Sequence, residues 1–134
     1  MNTETPPQLQ SIRPLFVIRD LKASRDYYLH TLGFQLDFEG PQDDPFYCGV
    51  SRDGIGLLLK VIAPEVQPTP NPTRHEWARW DAFIHTTDPD ALFAELRERS
   101  ARVTKELCFL DPGLWGFEVD DVDGYRLAFA VVRD

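Results

Sequence analysis

Near the end of the chain, apolar residues occupy every second position over residues 115–120 and again over 125–130. This two-residue period is that of a β-strand. The segment between them, DVDG at 121–124, is typical of a tight turn, because glycine tolerates positive φ and Asp side chains bond nearby backbone. Similar strand-like runs at 45–50 and 55–61 flank Asp53 and Gly54. The pattern predicts two β-hairpins.

The elements before each hairpin follow the same order. A strand at 13–18, a helix at 21–32 and a strand at 34–38 precede the first hairpin; a strand at 80–86, a helix at 89–99 and a strand at 103–109 precede the second. Asp20 and Asp88 are suited to cap the two helices, and Gly33 to end the first. The two caps are separated by almost the same length of chain as the turn glycines Gly54 and Gly124. A nearly constant offset predicts an internal duplication.

The repeat predicts an α+β fold of two βαβββ modules within a single domain of residues 1–134. Module one covers about 12–61 and module two about 77–132. Four prolines, at 64, 68, 70 and 72, fall between them. Proline lacks the backbone N–H that a helix interior or a central strand needs. Residues 62–76 are therefore expected to form a linker.

Composition narrows the choice of partners. The chain has 134 residues, 43% hydrophobic residues and a net charge of −8. An acidic protein of this kind is not expected to bind nucleic acid or an anionic membrane, but it suits a cationic ligand. Cys48 and Cys108 have no CxxC spacing, and neither a signal peptide nor an apolar run of ~20 residues is visible. We expect buried, reduced thiols and a cytoplasmic protein.

Three short segments carry a family resemblance. VIRDL at 17–21, YY at 27–28 and LGF at 32–34 resemble the opening signature of the vicinal oxygen chelate superfamily, which includes glyoxalase I, the bleomycin resistance proteins and the extradiol dioxygenases. DVDG at 121–124 resembles the family's closing DPDG turn, with Val122 in place of proline. The resemblance covers residues 12–132. It implies curved mixed sheets around a cleft, helices on the outside, and usually a homodimer.

Metal-dependent members of this superfamily hold a divalent ion with four side chains. Carrying those positions over gives Arg13, Gly56 or Leu58, Asp81 and Ala128. Only Asp81 can ligate a metal, and Arg13 would place a permanent positive charge where the cation belongs. We therefore expect no metal and no other cofactor. Arg13 and Asp81 are expected to form an ion pair or to act as two separate polar groups of the pocket.

Strand alternation and the family's geometry together predict the lining of the cleft. The ligand-binding candidates are Arg13, Leu15, Leu58, Asp81, Phe83, His85 and Ala128. Small residues at Gly56, Ala128 and Ala130 are expected to leave space. An aromatic cleft suits a flat organic ligand, although the same aromatic residues could instead pack at a module or dimer interface. His85 is either a cleft acid or base or a hydrogen-bonded wall residue.

Three functions follow as alternatives. The first is a metal-free binding protein of the bleomycin-resistance type that holds an aromatic or cationic small molecule. The second is a lyase, isomerase or dioxygenase of the same superfamily that uses a metal or His85. The third is a non-catalytic subunit that uses the fold for association. The missing metal ligands favour the first over the second.

Overall fold

The computed structural model describes residues 5–134 and contains two four-stranded sheets. The strands are β1 Leu15–Val17, β2 Gln35–Gly40, β3 Tyr47–Arg52, β4 Ile55–Lys60, β5 Ala82–His85, β6 Arg102–Asp111, β7 Leu114–Asp120 and β8 Arg126–Val132. The helices are α1 Leu21–Asp26, extended by a π-helical segment Tyr27–Thr31, and α2 Pro89–Glu98. A short 3₁₀ segment spans Asn71–Thr73.

The strand orders confirm the predicted duplication. The first sheet runs β1-β4-β3-β2 and the second runs β5-β8-β7-β6. In both sheets the first two strands in this order are parallel and the other neighbours are antiparallel. Leu15 pairs with Leu58 in the first sheet, and Phe83 pairs with Ala128 in the second. Leu15 of β1 therefore corresponds to Phe83 of β5, and Leu58 of β4 corresponds to Ala128 of β8.

Both helices begin at the aspartates that the sequence indicates. The Asp20 carboxylate accepts from the backbone N–H of Ala23 at 3.0 Å, and Asp88 accepts from Ala91 at 3.0 Å. Each bond satisfies one N–H of the first helical turn. The sequence predicted a regular helix over 21–32, but from Tyr27 to Thr31 the helix has π geometry. Its last turn is closed by the Leu32 N–H, which donates to the Tyr27 carbonyl at 3.0 Å.

The two modules share one apolar core on the helix side of their sheets. Its largest fully buried side chains include Tyr28 of the first module and Phe117 of the second. Phe16 stacks on Tyr125 across the modules, with ring centroids 4.4 Å apart. This contact and a Tyr28–Asp121 hydrogen bond of 2.7 Å join the first helix and strand to the last hairpin.

The proline-rich linker packs on the protein. Pro68 and Pro70 are buried, and the 3₁₀ segment begins directly after them. The backbone N–H of Asn71 donates to Asp81 at 2.8 Å, which ties the linker to the start of the second module. No helix in residues 5–134 is long and apolar enough to span a bilayer.

Candidate functional site

Each sheet has one face on the core and one facing away from the helices, which we call the open face. In the first sheet, Leu57 and Leu59 are buried in the core. Leu58 alternates with them, and Leu15, its partner in β1, is 50% exposed. In the second sheet, Leu127 enters the core, and Phe83 and Ala128 belong to a separate cluster on the open face.

An aromatic row crosses the open face of the second sheet. It consists of Trp80, Phe83 and His85, all incompletely buried. The Trp80 and Phe83 ring centroids are 5.0 Å apart, and those of Phe83 and His85 are also 5.0 Å apart. The Arg79 guanidinium lies 4.2 Å from the Trp80 ring centroid. Partly exposed aromatic rings offer stacking and cation–π contacts to an aromatic or cationic molecule.

The small residues of this face are covered by the aromatic row. Ala128 and Ala130 have no exposed surface and pack in one cluster with Trp80 and Phe83. The space expected above Ala128 and Ala130 is therefore already filled. The same holds at Gly56, where a Cβ would lie 2.8 Å from the Arg13 guanidinium carbon.

A buried carboxylate, Glu118, lies beside the aromatic row. It is only 6% exposed, and its Oε2 accepts from the Trp80 indole N–H at 2.9 Å. Arg126 lies between two acids, with its Nε 2.8 Å from Asp120 Oδ1 and 4.0 Å from Glu118 Oε1. The sequence prediction missed Glu118. Its position among apolar residues in β7 was the available signal, but its partner is 38 residues away.

Of the two arrangements predicted for Arg13 and Asp81, the ion pair is wrong. Both carboxylate oxygens of Asp81 accept backbone N–H groups, one from Asn71 and one from Arg126, each at 2.8 Å. Arg13 instead pairs with Asp37 at 2.8 Å. Asp81 therefore fastens the linker to β8, and Arg13 belongs to the open face of the first sheet.

Arg13 and Asp37 form a polar group on that face. Arg13 lies 5.7 Å from the Phe38 ring centroid, and the Ser51 hydroxyl donates to Asp37 at 3.0 Å. The Arg13 hydrogen bond, followed by that of Ser51, lowers the pKa of Asp37 below its usual value. This face therefore presents a fixed cation and a carboxylate beside exposed apolar side chains.

The residues at the family's metal positions do not fit a metal. Arg13 is cationic and Ala128 has no donor atom, while Asp81 is occupied by backbone amides. Within residues 5–134, no group of three or more His, Cys, Asp or Glu side chains is placed to hold a metal ion. The donor set gives no basis for chemistry through a metal at this place.

The seven ligand-binding candidates fall on two sheets. Leu15, Leu58 and the Arg13 side chain lie on the open face of the first sheet. The other four belong to the second sheet: Asp81 directly precedes β5, Phe83 and His85 lie in β5, and Ala128 lies in β8. The structure brings Phe83, His85 and Ala128 together. A pocket of about 560 Å³ does include His85, but neither Arg13, Phe83, Leu58 nor Ala128 lines it. The predicted single cavity is thus not formed by these side chains within one chain.

The fold and the incomplete set of metal ligands define a protein of two βαβββ modules with an aromatic face and no metal centre of the family's kind. The model of the Glyoxalase/Bleomycin resistance protein/Dioxygenase superfamily matches residues 11–129. The chain belongs to this superfamily, as the sequence motifs predicted. The comparison with curated proteins gives no match.

Solved structures with the same fold include antibiotic-binding proteins. The chain is similar to TioX from Micromonospora sp. ML1 (16% identity, 90% and 98% of the two chains, TM-score 0.69). It is similar to TnmS3, an antibiotic binding protein from Streptomyces sp. CB03234 (21%, 91% and 95%, 0.67). It is also similar to the bleomycin-binding protein from bleomycin-producing Streptomyces verticillus, solved with copper(II)-bleomycin (24%, 92% and 96%, 0.65). At these identities the likeness establishes the fold.

Proposed function

We propose that this protein binds a small aromatic or cationic molecule on the open face of the second sheet, without a metal ion. The observation that carries the proposal is the aromatic row of Trp80, Phe83 and His85. A net charge of −8 favours the approach of a cation. TnmS3 and the Streptomyces verticillus protein, which share the fold, bind antibiotics. Two free cysteines support a cytoplasmic location.

A second copy of the chain completes the site in this proposal. The open face of the first sheet carries Leu15 (50% exposed) and Phe38 (45% exposed) beside Arg13 and Asp37. An exposed apolar surface flanked by polar groups is typical of an interface. In a homodimer, this face of one copy covers the aromatic row of the other and encloses the ligand.

Ligand binding is tested with proflavine, a flat aromatic cation, and with bleomycin. We expect at least one probe to raise the melting temperature, because a ligand at about a hundred times its Kd adds ~2.7 kcal/mol of stability. Phe83→Ala should weaken binding roughly tenfold in calorimetric titration, since it removes the centre of the aromatic row. Phe109→Ala is the control. Phe109 is 51% exposed and packs on Trp115, whose indole N–H donates to Asp90 of α2, so Phe109 lies on the helix side of the sheet and away from the aromatic row. Binding of neither probe, or equal losses in both variants, contradicts the proposal.

Dimerisation is tested by sedimentation equilibrium. Leu15→Asp should convert the dimer into a monomer, because it buries a charge in the proposed interface. Leu36→Asp is the control; Leu36 is 41% exposed and pairs with the buried Val50, on the helix side of the same sheet. A monomeric wild-type protein would contradict the shared site.

The metal-free part of the proposal is tested by elemental analysis. We expect less than roughly 0.1 zinc, nickel, manganese or iron per chain, because the family positions hold one occupied carboxylate and no second donor. Treatment with EDTA should leave the melting temperature and the affinity for the probe unchanged. The proposal would be contradicted by one bound metal ion per chain, if Asp81→Asn removed both that ion and the binding of the probe.

A further inference from the structure

The pocket of about 560 Å³ lies on the helix side of the second sheet, where the tip of the β3–β4 hairpin meets β5 and α2. Its volume is within the range of small-molecule sites. Leu32, Leu96 and Phe129, all at most 5% exposed, are part of its apolar lining. Ile55 from the hairpin and Ile84 from β5 also line it.

Internal duplication gives this pocket a counterpart. The correspondence between the two sheets makes Ile84 equivalent to Phe16 and Ile55 equivalent to Tyr125. In the counterpart, Tyr125 stacks on Phe16 at 4.4 Å and donates from its hydroxyl to the Val17 carbonyl at 2.6 Å. An aromatic ring and its hydroxyl therefore fill the space between module one and the second hairpin.

At the pocket, the equivalent residues are too small to do this. Two isoleucines replace the stacked pair, and Leu96 replaces Tyr28. Phe129, at the position of Leu59, restores only part of the volume and lines the pocket. His85 is the residue equivalent to Val17, because His85 pairs with Ala130 in the second sheet as Val17 pairs with Lys60 in the first. The carbonyl that would accept the hydroxyl hydrogen is therefore that of His85.

The hairpin tip is nevertheless held in place over the pocket. Arg52 donates from two guanidinium nitrogens to the two Glu95 carboxylate oxygens, each at 2.8 Å, and also to the Leu32 carbonyl at 2.9 Å. This bidentate pair fixes the tip without using an apolar side chain. The walls are thus positioned while the space between them is left open.

We propose that this pocket binds a small phenolic molecule, whose ring takes the place that Tyr125 occupies in the counterpart and whose hydroxyl donates to the His85 carbonyl. The pocket and the aromatic row lie on opposite sides of the second sheet, and His85 is the one residue of the row that also lines the pocket. The pocket lining carries three carboxylates, those of Asp53, Asp88 and Glu95, against the single guanidinium of Arg52. This excess of negative charge disfavours a phenolate or other anion and leaves a neutral phenol as the ligand.

The test uses 4-methylphenol, which is the tyrosine side chain without its backbone, in an amide NMR titration of the full chain. We expect saturable shifts at residues 84, 85, 92 and 55, and at least a fivefold weaker Kd for the methyl ether, 4-methylanisole, which has no hydroxyl hydrogen to donate. Ile55→Tyr should weaken binding of 4-methylphenol at least tenfold, because it fills the pocket from within. Ile84→Phe is a second filling variant.

Ile62→Tyr is the matched control, because Ile62 is 48% exposed and lies outside the pocket lining. Unchanged affinity in Ile55→Tyr and Ile84→Phe, or shifts confined to Trp80, Phe83 and Ala128, would overturn the proposal. The result is independent of the proposed function, since proflavine or bleomycin binding is followed through Phe83 and 4-methylphenol binding through Ile55.

Discussion

Replacing Asp121 by alanine is expected to lower the free energy of unfolding by about 3 kcal/mol, because three hydrogen bonds lose their acceptor in the core. Asp121 has no exposed surface. Its Oδ2 accepts from the Tyr28 hydroxyl at 2.7 Å, and its Oδ1 accepts from the N–H groups of Asp123 and Tyr125 at 2.9 and 3.0 Å. The buried donors left behind cannot reach water. Urea unfolding monitored by circular dichroism measures the change.

Asp121 also makes stability depend on pH. Burial, opposed by the hydrogen bonds, raises its pKa from 3.8 to about 6. The folded state therefore binds a proton more tightly than the unfolded chain, so stability from this group is present below about pH 4 and is lost as the pH rises to 6. At 1.36 kcal/mol per pH unit, the loss is at most about 3 kcal/mol.

Asp121→Asn isolates this dependence, because the amide keeps an acceptor oxygen and does not ionise. We expect the stability of Asp121→Asn relative to wild type to increase by about 2 to 3 kcal/mol between pH 4 and pH 7. Asp53→Asn is the matched control, since the Asp53 side chain is 89% exposed on the other hairpin turn. A relative stability of Asp121→Asn that does not change with pH would show that the carboxylate is not the titrating group.

Gly116→Ala is expected to destabilise the protein by about 3 kcal/mol, although it adds only one methyl group. A Cβ on Gly116 would overlap the backbone carbonyl oxygen of Phe129 and would lie 2.6 Å from the Ala130 Cβ. Both neighbours belong to the paired strand β8, so neither can move without disturbing the sheet. Overpacking that shifts backbone typically costs about 1–3 kcal/mol and occasionally more. Thermal and urea unfolding give the size of the effect.

Gly56→Ala is the control for this prediction. Gly56 also lies in a central strand, but the three atoms nearest to its Cβ would all belong to the Arg13 side chain, the closest at 2.8 Å. A flexible arginine can turn aside, so we expect a loss of less than about 1 kcal/mol. Similar losses in the two variants would mean that the strand backbone at Gly116 has room to relax.

Local signals in the sequence determined the order of elements and the duplication. Helix caps act within one turn, as the bonds from Asp20 to Ala23 and from Asp88 to Ala91 show. Strand alternation acts between next-but-one neighbours, which is why Leu58 and Ala128 could be assigned away from the helices. The family could be named for the same reason, because its signatures lie in these caps and turns. The widening of the first helix at Tyr27–Thr31 was not readable, since it coincides with bonds from Tyr27 and Tyr28 to the last hairpin.

Only the tertiary structure decided the partners of the polar groups and the distribution of empty space. Arg13 bonds Asp37 and Asp81 bonds backbone amides, although family position made Arg13 and Asp81 plausible partners for each other. Glu118 meets Trp80 across 38 residues. The pocket beside Ile55 and Ile84 exists because side chains from the two modules approach without filling the space between them. Such choices depend on which distant segments meet, and a periodic pattern within one segment carries no information about that.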